Sequence, residues 1–423
     1  MSPTRLAALL WLCAVIPACA PRWRTDALVN PKDVARALGD PADVAAAPFD
    51  PAAIPEFAAP SKLRPCCAFG VDLKPIVGPV PVPLVELENV RGPDEIGPHG
   101  YDKGELTRER NGLVYTCRGG FIDVAHVRDH IDRTLYLSLQ IARALPGALK
   151  LEMPEEGTLR RVLVAPLPRG MLERHGRWTI ATALAAWADN HLANWHEFVT
   201  WYGWESVKGV PERMSGFSPE DIYSNTLGIK IGAGIVLDRQ MRSRDEYDLA
   251  AEAWMGESLR RLGVVPLAQA RTAMQAVDGL WWDSNRRVPE FELVIRRFVD
   301  LSLPVKPWIV ADALPDVKEL QAMCKDQPPT LPLEISEKIG EHAIADLVTV
   351  QFEFAKWTPP SRFPLPAKTG DVVTHADFPK ILAAVREQAA EELGPSFDDP
   401  KAPKDAKDAK DAKDAKASAS KSN

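Results

Sequence analysis

Apolar residues recur at three- and four-residue steps along most of this chain, a spacing that predicts helices. Val124, Val127, Ile131 and Leu135 make one stripe of a helix from about Asp123 to Leu145, stopped by Pro146-Gly147. A longer helix is predicted from Arg177 to Tyr202, with Ile180, Leu184, Trp187, His191, Trp195, Phe198 and Tyr202 on one face. Ser218 is placed to cap another, with Pro219 in its first turn and Glu220 and Asp221 facing the positive end of the dipole. Further helices are predicted from Ser243 to Leu262, from Pro266 to Val277 and from Phe378 to Leu393, the last with Asp377 as N-cap and Gly394 just past its end. Gly112 to Cys117, Arg160 to Leu167 and Leu347 to Phe354 read as short strands, and Gly119-Gly120 turns the first of them into the helix at Asp123. The expected fold is mainly α with a small β element, as a single large globular domain over residues 62–394.

The two ends break this pattern. Arg5 precedes an apolar run from Leu6 to Ile16, and Ile16-Pro17-Ala18-Cys19 follows at once. That order predicts a lipoprotein signal peptide over residues 1–18, with Cys19 taking the lipid. The run is about half the length that spans a bilayer. A plain signal peptidase cutting after Ala20 is the alternative. Residues 19–61, rich in Pro, Ala and Asp, read as a tether. Residues 395–423 end in Lys-Asp-Ala repeats without a branched or aromatic residue, so a disordered tail is expected. The implied location is the bacterial envelope, in contact with the membrane through the lipid on Cys19. Ala20 in place of Asp points to the outer membrane, facing the periplasm. The net charge of −7 and the lack of any Lys/Arg cluster argue against a nucleic-acid partner; a protein or envelope-component partner is left open.

Candidate chemistry lies off the apolar stripes. His126 and His130 stand one turn apart, away from the Val124–Leu135 stripe, a spacing that can bind one metal with an acid beside it as general base. Asp123 could instead simply cap the helix. His191 sits inside the aromatic stripe and reads as a core histidine, whereas His196 falls among small residues with Glu197 next to it, where a ligand could approach. Of the six cysteines, Cys66, Cys67, Cys117 and Cys324 are left after the export signal, and in an oxidising compartment they are disulfide candidates. A bond from Cys66 or Cys67 to Cys117 or Cys324 is expected. Were Cys117 reduced, the helix start and Arg118 beside it would favour a thiolate nucleophile.

Arg64–Gly70 (RPCCAFG), Gly97–Asp102, Asn111–Asp129 (NGLVYTCRGGFIDVAHVRD), Asn194–Gly203 (NWHEFVTWYG) and Phe217–Gly228 (opening FSPEDIYSN) resemble the motifs of a domain-of-unknown-function family of bacterial exported proteins and lipoproteins. The resemblance runs from about Arg64 to Gly228, with a weaker continuation to about Asp300. It implies an envelope location and no established activity. The family's pattern passes through His126, Asp129 and Asp132 but not His130, which favours a site assembled from separate segments. The resulting expectation is a metal-dependent hydrolase, with zinc held by ligands drawn from His99, Asp123, His126 and His196. Glu197 and Asp129 are the catalytic acids, acting on a metal-bound water. The alternatives are a non-enzymatic binding or scaffolding lipoprotein and a cysteine hydrolase using Cys117.

Overall fold

The computed structural model describes residues 29–39, 49–61, 63–64, 67–77, 80–81, 89–102, 109–206 and 208–401. The signal peptide with Cys19, the cysteine at Cys66 and the Lys-Asp-Ala repeats lie outside the described residues. The elements in chain order begin with helix α1 (Pro31–Leu38), the hairpin β1 (Leu113–Thr116) and β2 (Gly120–Asp123), and helix α2 (Val124–Ala144). Strands β3 (Leu149–Glu156) and β4 (Thr158–Val164) and helices α3 (Arg177–Trp201), α4 (Asp221–Leu237), α5 (Arg244–Arg261) and α6 (Leu267–Ala276) follow. Strands β5 (Val348–Phe354) and β6 (Val372–Thr374) and helix α7 (Phe378–Leu393) complete the set used below. The protein is mainly α with a small β element, as the apolar spacing predicts. Among the described residues no helix is long and apolar enough to cross a membrane.

Three helices form the centre. α2 packs against both α3 and α4. α4 is buried from Asp221 to Val236, the expected state of a helix that is apolar on every side. Its approach to α2 is set by two glycines four residues apart. A Cβ on Gly228 would lie 2.4 Å from the carbonyl oxygen of Val127, and one on Gly232 would lie 2.8 Å from that of Ile131. Any larger residue would push the helices apart, so the Gly228/Gly232 spacing is what brings the N-terminal turn of α4 beside the N-terminal turn of α2.

A four-stranded antiparallel sheet, in the order β6-β5-β4-β3, covers one side. β4 and β5 alternate buried and half-exposed residues, so one face packs on the helices. Phe352 of β5 stacks on Trp195 of α3 with centroids 4.2 Å apart, and Phe378 of α7 closes the group.

Several expectations need correction. β3 lies over Leu149–Glu156, where no strand was predicted: Leu149, Leu151 and Met153 do alternate with Lys150 and Glu152, but Pro154 and a bulge between Met153 and Glu156 cut the pattern short. Gly120–Asp123 is strand and not merely a turn into α2. Ser218 does not cap α4 with its hydroxyl; its carbonyl accepts the Asp221 amide at 3.3 Å, and the helix begins at Asp221. Asp377 stands at the start of α7, but its carboxylate turns back to the Thr374 amide at 2.9 Å. Much of the stretch read as a tether belongs to the core, with Val34, Leu38 and Phe57 buried and Phe49 stacked on Trp178. At the other end Phe397 is buried and the Pro400 carbonyl accepts the Trp281 indole N–H, so the packed chain continues past residue 395.

Candidate metal centre

Asp123 ends β2 and caps α2. Its Oδ1 accepts the Ala125 amide at 2.7 Å, and its Oδ2 accepts the Cys67 amide at 3.0 Å. The Asp123 amide in turn donates to Ser224 Oγ on α4 at 2.9 Å, tying the two helix starts together. One turn into α2 stands His126, and across the glycine contact Asp221 and Asn225 stand one turn apart on α4. Asn225 Oδ1 lies 2.6 Å from His126 Nδ1, which fixes Nδ1 as the donor and leaves Nε2 as the lone-pair nitrogen. That Nε2 lies 3.5 Å from Asp221 Oδ1.

Asp123, His126 and Asp221 each offer a ligand atom, and these atoms lie within 4.8 Å of one another. All three residues are buried. Ligand bonds of about 2.0–2.2 Å in a tetrahedral zinc site put neighbouring donors roughly 3.3–3.5 Å apart, which is the observed spacing of His126 Nε2 and Asp221 Oδ1.

The charge balance points the same way. Asp123, Glu197, Glu220 and Asp221 are all at most 1% exposed. Both carboxylate oxygens of Glu220, and Oδ1 of Asp221, have no hydrogen-bond partner among the described residues. Burial pushes the Glu220 carboxyl well above the usual carboxylate range, and the neighbouring Asp221 and Asp123 add to it. Asp221 is raised in the same way by burial and by Glu197 and Asp123. The same acids, after burial itself, push the Cys67 thiol up, so Cys67 holds its proton in this setting. Burial opposes charge on His126, yet Asp123 and Glu197 hold it above its ordinary value. Buried carboxylates with unused lone pairs are costly unless a cation or proton joins them. A divalent cation between Asp123, His126 and Asp221 satisfies all three.

Next to the triad lies a small cleft of ≈ 20 Å³ lined by Arg64, His126, Asp129, His130, Arg133 and His196, with Ser206 and Glu212 at the side. His196, from α3, faces His126 with ring centroids 5.8 Å apart. Its Nδ1 is hydrogen-bonded to Glu156 of β3, which also pairs with Arg160 of β4. Burial works against a charge on His196, and Glu156 overcomes it and raises the imidazole. His130 Nδ1 lies 3.0 Å from Asp189 Oδ1, and burial lowers its pKa to about 4, so this ring stays neutral. A larger cavity of ≈ 80 Å³, bordered by Ala183, Ala186, Ala233, Leu237, Ile335 and Lys230, shares no lining residue with the cleft. His175, Glu334 and Lys338 also border it, but it contains none of the residues whose ligand atoms converge as those of the triad do.

The sequence candidates therefore separate. Asp123 and His126 come together, and His196 stands beside them. His130 turns away from His126 to Asp189. Glu197 is not aimed at the cleft: its Oε2 accepts the Phe217 amide at 2.8 Å and its Oε1 takes Asn225 Nδ2 at 3.4 Å, so it braces the residue that orients His126. Asp129 reaches the cleft but is held by Arg64 through the amide at 3.1 Å and Nη1 at 2.7 Å. His99 belongs to a different buried network, with Nε2 2.9 Å from Asp132 Oδ1, which also accepts the Tyr247 hydroxyl at 2.6 Å. It is not one of the triad's ligands.

Asp221, Asn225 and Glu220 were missed as site residues. Their signal was present in the run Ser218-Pro-Glu-Asp, where two adjacent acids looked sufficient as partners of the helix dipole. The cysteine expectation is overturned. Cys117 bonds to Cys324, with Cα atoms 5.4 Å apart, and Cys67 takes no part in that bond. A disulfide sulfur cannot serve as a nucleophilic thiolate, so the Cys117 hydrolase reading falls with it. His191 accords with its place in the stripe: Nδ1 lies 2.8 Å from the Trp187 carbonyl, among the rings of Trp187, His375 and Phe378.

A family model described as a protein of unknown function, DUF4056, matches residues 54–310, more than half of the chain. The chain belongs to the DUF4056 family. All triad and cleft residues lie inside the matched region, whereas β5, β6 and α7 lie outside it. No curated protein and no solved structure matches the sequence. DUF4056 carries no assigned activity, so function has to be argued from the site itself.

Proposed function

We propose that this chain is a zinc-dependent hydrolase of the bacterial envelope, exported and held to the membrane by a lipid on Cys19. The observation that carries the catalytic part is the buried Asp123–His126–Asp221 triad, with ligand atoms within 4.8 Å, opening beside a second imidazole. The metal, when bound, would acidify a water and polarise the bond to be cut.

The protein's residues do the rest. Asn225 accepts the Nδ1 proton of His126 and presents Nε2 to the metal, and Glu197 holds Asn225 in turn. Glu156 accepts the Nδ1 proton of His196, and Nε2 of that ring would serve as the base that takes a proton from the attacking water. Asp123, His126 and Asp221 would hold the metal, and a set of three protein ligands is the number found in catalytic rather than structural zinc sites. Export rests on the apolar run before Cys19 and on the oxidised Cys117–Cys324 pair, which suits an oxidising compartment.

Elemental analysis of protein purified without chelator tests the reading. The parent is expected to carry one zinc per chain, and Asp221→Asn to lose it while keeping a cooperative melt. His196→Ala is expected to retain the metal and lose hydrolysis. An Asp221→Asn variant with the parent's metal content would exclude this ligand set.

A further inference from the structure

Part of the cleft is lined by three nitrogen-bearing side chains of α2. His126, His130 and Arg133 project from one face of α2 at steps of four and three residues. Two guanidiniums line the cleft, Arg64 and Arg133, and Arg160 lies behind Glu156. Arg64 is bound to Glu109, Asp129 and Asp132 and to the Gly100 carbonyl. Arg160 is bound to Glu156 and to the Pro154 carbonyl at 2.7 Å.

Arg133 differs. It is 5% exposed, and its one hydrogen bond among the described residues runs from Nη1 to Asp189 Oδ1 at 3.5 Å, the outer limit of such a bond. Asp189 is shared with two other donors: Oδ1 meets His130 Nδ1 at 3.0 Å and Oδ2 accepts the Thr134 hydroxyl at 2.7 Å. Asp129 and Glu156 feel the charge of Arg133, but the other carboxylates around the cleft hydrogen-bond to other groups: Asp129 to Arg64, Glu156 to His196 and Arg160, and Glu212 to the Ser206 amide at 3.0 Å. A nearly buried guanidinium with a planar fork of unused donors, opening on a cleft, is built for a carboxylate or a phosphate.

We propose that Arg133 binds an oxyanion of the substrate, so the site acts on molecules with a carboxylate or phosphoryl group next to the bond that is cut. The substrate class rests on the hydrolase reading above; the anion site itself does not require the metal.

The test separates the two. Inorganic phosphate, followed by phosphorus NMR line broadening, and acetate, followed by saturation transfer, are titrated into chelator-treated and zinc-loaded protein. Parent, Arg133→Gln and Arg133→Lys are compared, each checked by its melt and its zinc content. The parent is expected to bind one of the two anions without metal, and its preference tells phosphoryl from carboxylate. Arg133→Gln should weaken that binding at least tenfold with zinc content unchanged, and Arg133→Lys should restore part of it. Anion binding equal in parent and Arg133→Gln, or no binding of either anion by the metal-free parent, would overturn the proposal while leaving the metal centre intact. Loss of anion binding in Arg133→Gln from a parent that takes up no zinc would do the reverse, upholding Arg133 and refuting the hydrolase reading.

Discussion

Substituting Gly228 by alanine probes the contact on which the whole site depends. The added Cβ would lie 2.4 Å from the Val127 carbonyl oxygen, 2.8 Å from His130 Cβ and 3.0 Å from the Val127 carbonyl carbon. Two of these atoms are backbone inside α2, so no rotamer change relieves the clash, and α4 has to move off by roughly 1 Å to reach ordinary contact. Overpacking of this kind costs typically 1–3 kcal/mol, and a backbone neighbour puts Gly228→Ala near the upper end, at about 3 kcal/mol. The movement also carries Asp221 and Asn225 away from His126, so zinc affinity should fall together with stability. Gly256, in the interior of α5, is the control because a Cβ there meets nothing within 4 Å. Gly256→Ala should stabilise by roughly 0.5–1 kcal/mol through helix propensity alone. Urea unfolding and zinc content, measured on both variants, give the comparison. Should Gly228→Ala unfold at the parent's urea midpoint with its zinc intact, the close α2–α4 packing described above is wrong.

Three further outcomes are expected. Burial lowers the pKa of His191 to about 4, so the unfolded chain, with histidine near 6.5, binds a proton that the native protein refuses. The stability this confers is complete above pH 6.5 and is lost as pH falls through 4, by roughly 3–3.5 kcal/mol in all. Urea midpoints at pH 7.5 and 4.5 should therefore converge in His191→Gln relative to the parent, and an identical pH slope in both proteins would refute the burial argument. The Cys117–Cys324 bond joins residues 207 apart in sequence, and closing so long a loop is worth about 5 kcal/mol in the chain-entropy model. Peptide mapping without reduction should recover this pair, and Cys324→Ser should unfold at a markedly lower urea concentration; an unchanged midpoint would contradict it. Finally, Cys19→Ala should abolish incorporation of labelled fatty acid and release the protein from the membrane fraction, and a variant still labelled and membrane-bound would refute the lipid anchor.

Helices were legible in the sequence wherever one face alone is apolar and the ends carry clear stops. α7 keeps its expected limits for this reason, and α3, though buried on nearly every side, keeps within a residue of its own because Gly176 and Gly203 bound it. β3 was missed although Leu149, Leu151 and Met153 alternate with Lys150 and Glu152, because the pattern lasts only five residues before Pro154 and because its partner β4 is itself paired to β5, nearly two hundred residues further on. Placing a charged edge strand requires knowing the sheet it joins.

The site shows the same division. His126 and His196 could be singled out as polar groups off the apolar stripes, and the structure faces them toward each other. Asp221 could not, since its closeness to His126 depends on Gly228 and Gly232 laying one helix across another. His99 was misplaced for a related reason. Helical periodicity tells which face Asp132 occupies, but not that His99, from a loop preceding the hairpin, fills the space opposite it.

Anomalous scattering from crystals grown with zinc and measured on both sides of the zinc absorption edge tests the central claim most directly. The account predicts a single strong peak about 2.0–2.2 Å from His126 Nε2 and from one oxygen each of Asp123 and Asp221, with His196 in reach of the remaining coordination position. A map without a peak between these residues, or with zinc bound only at other side chains, would contradict it.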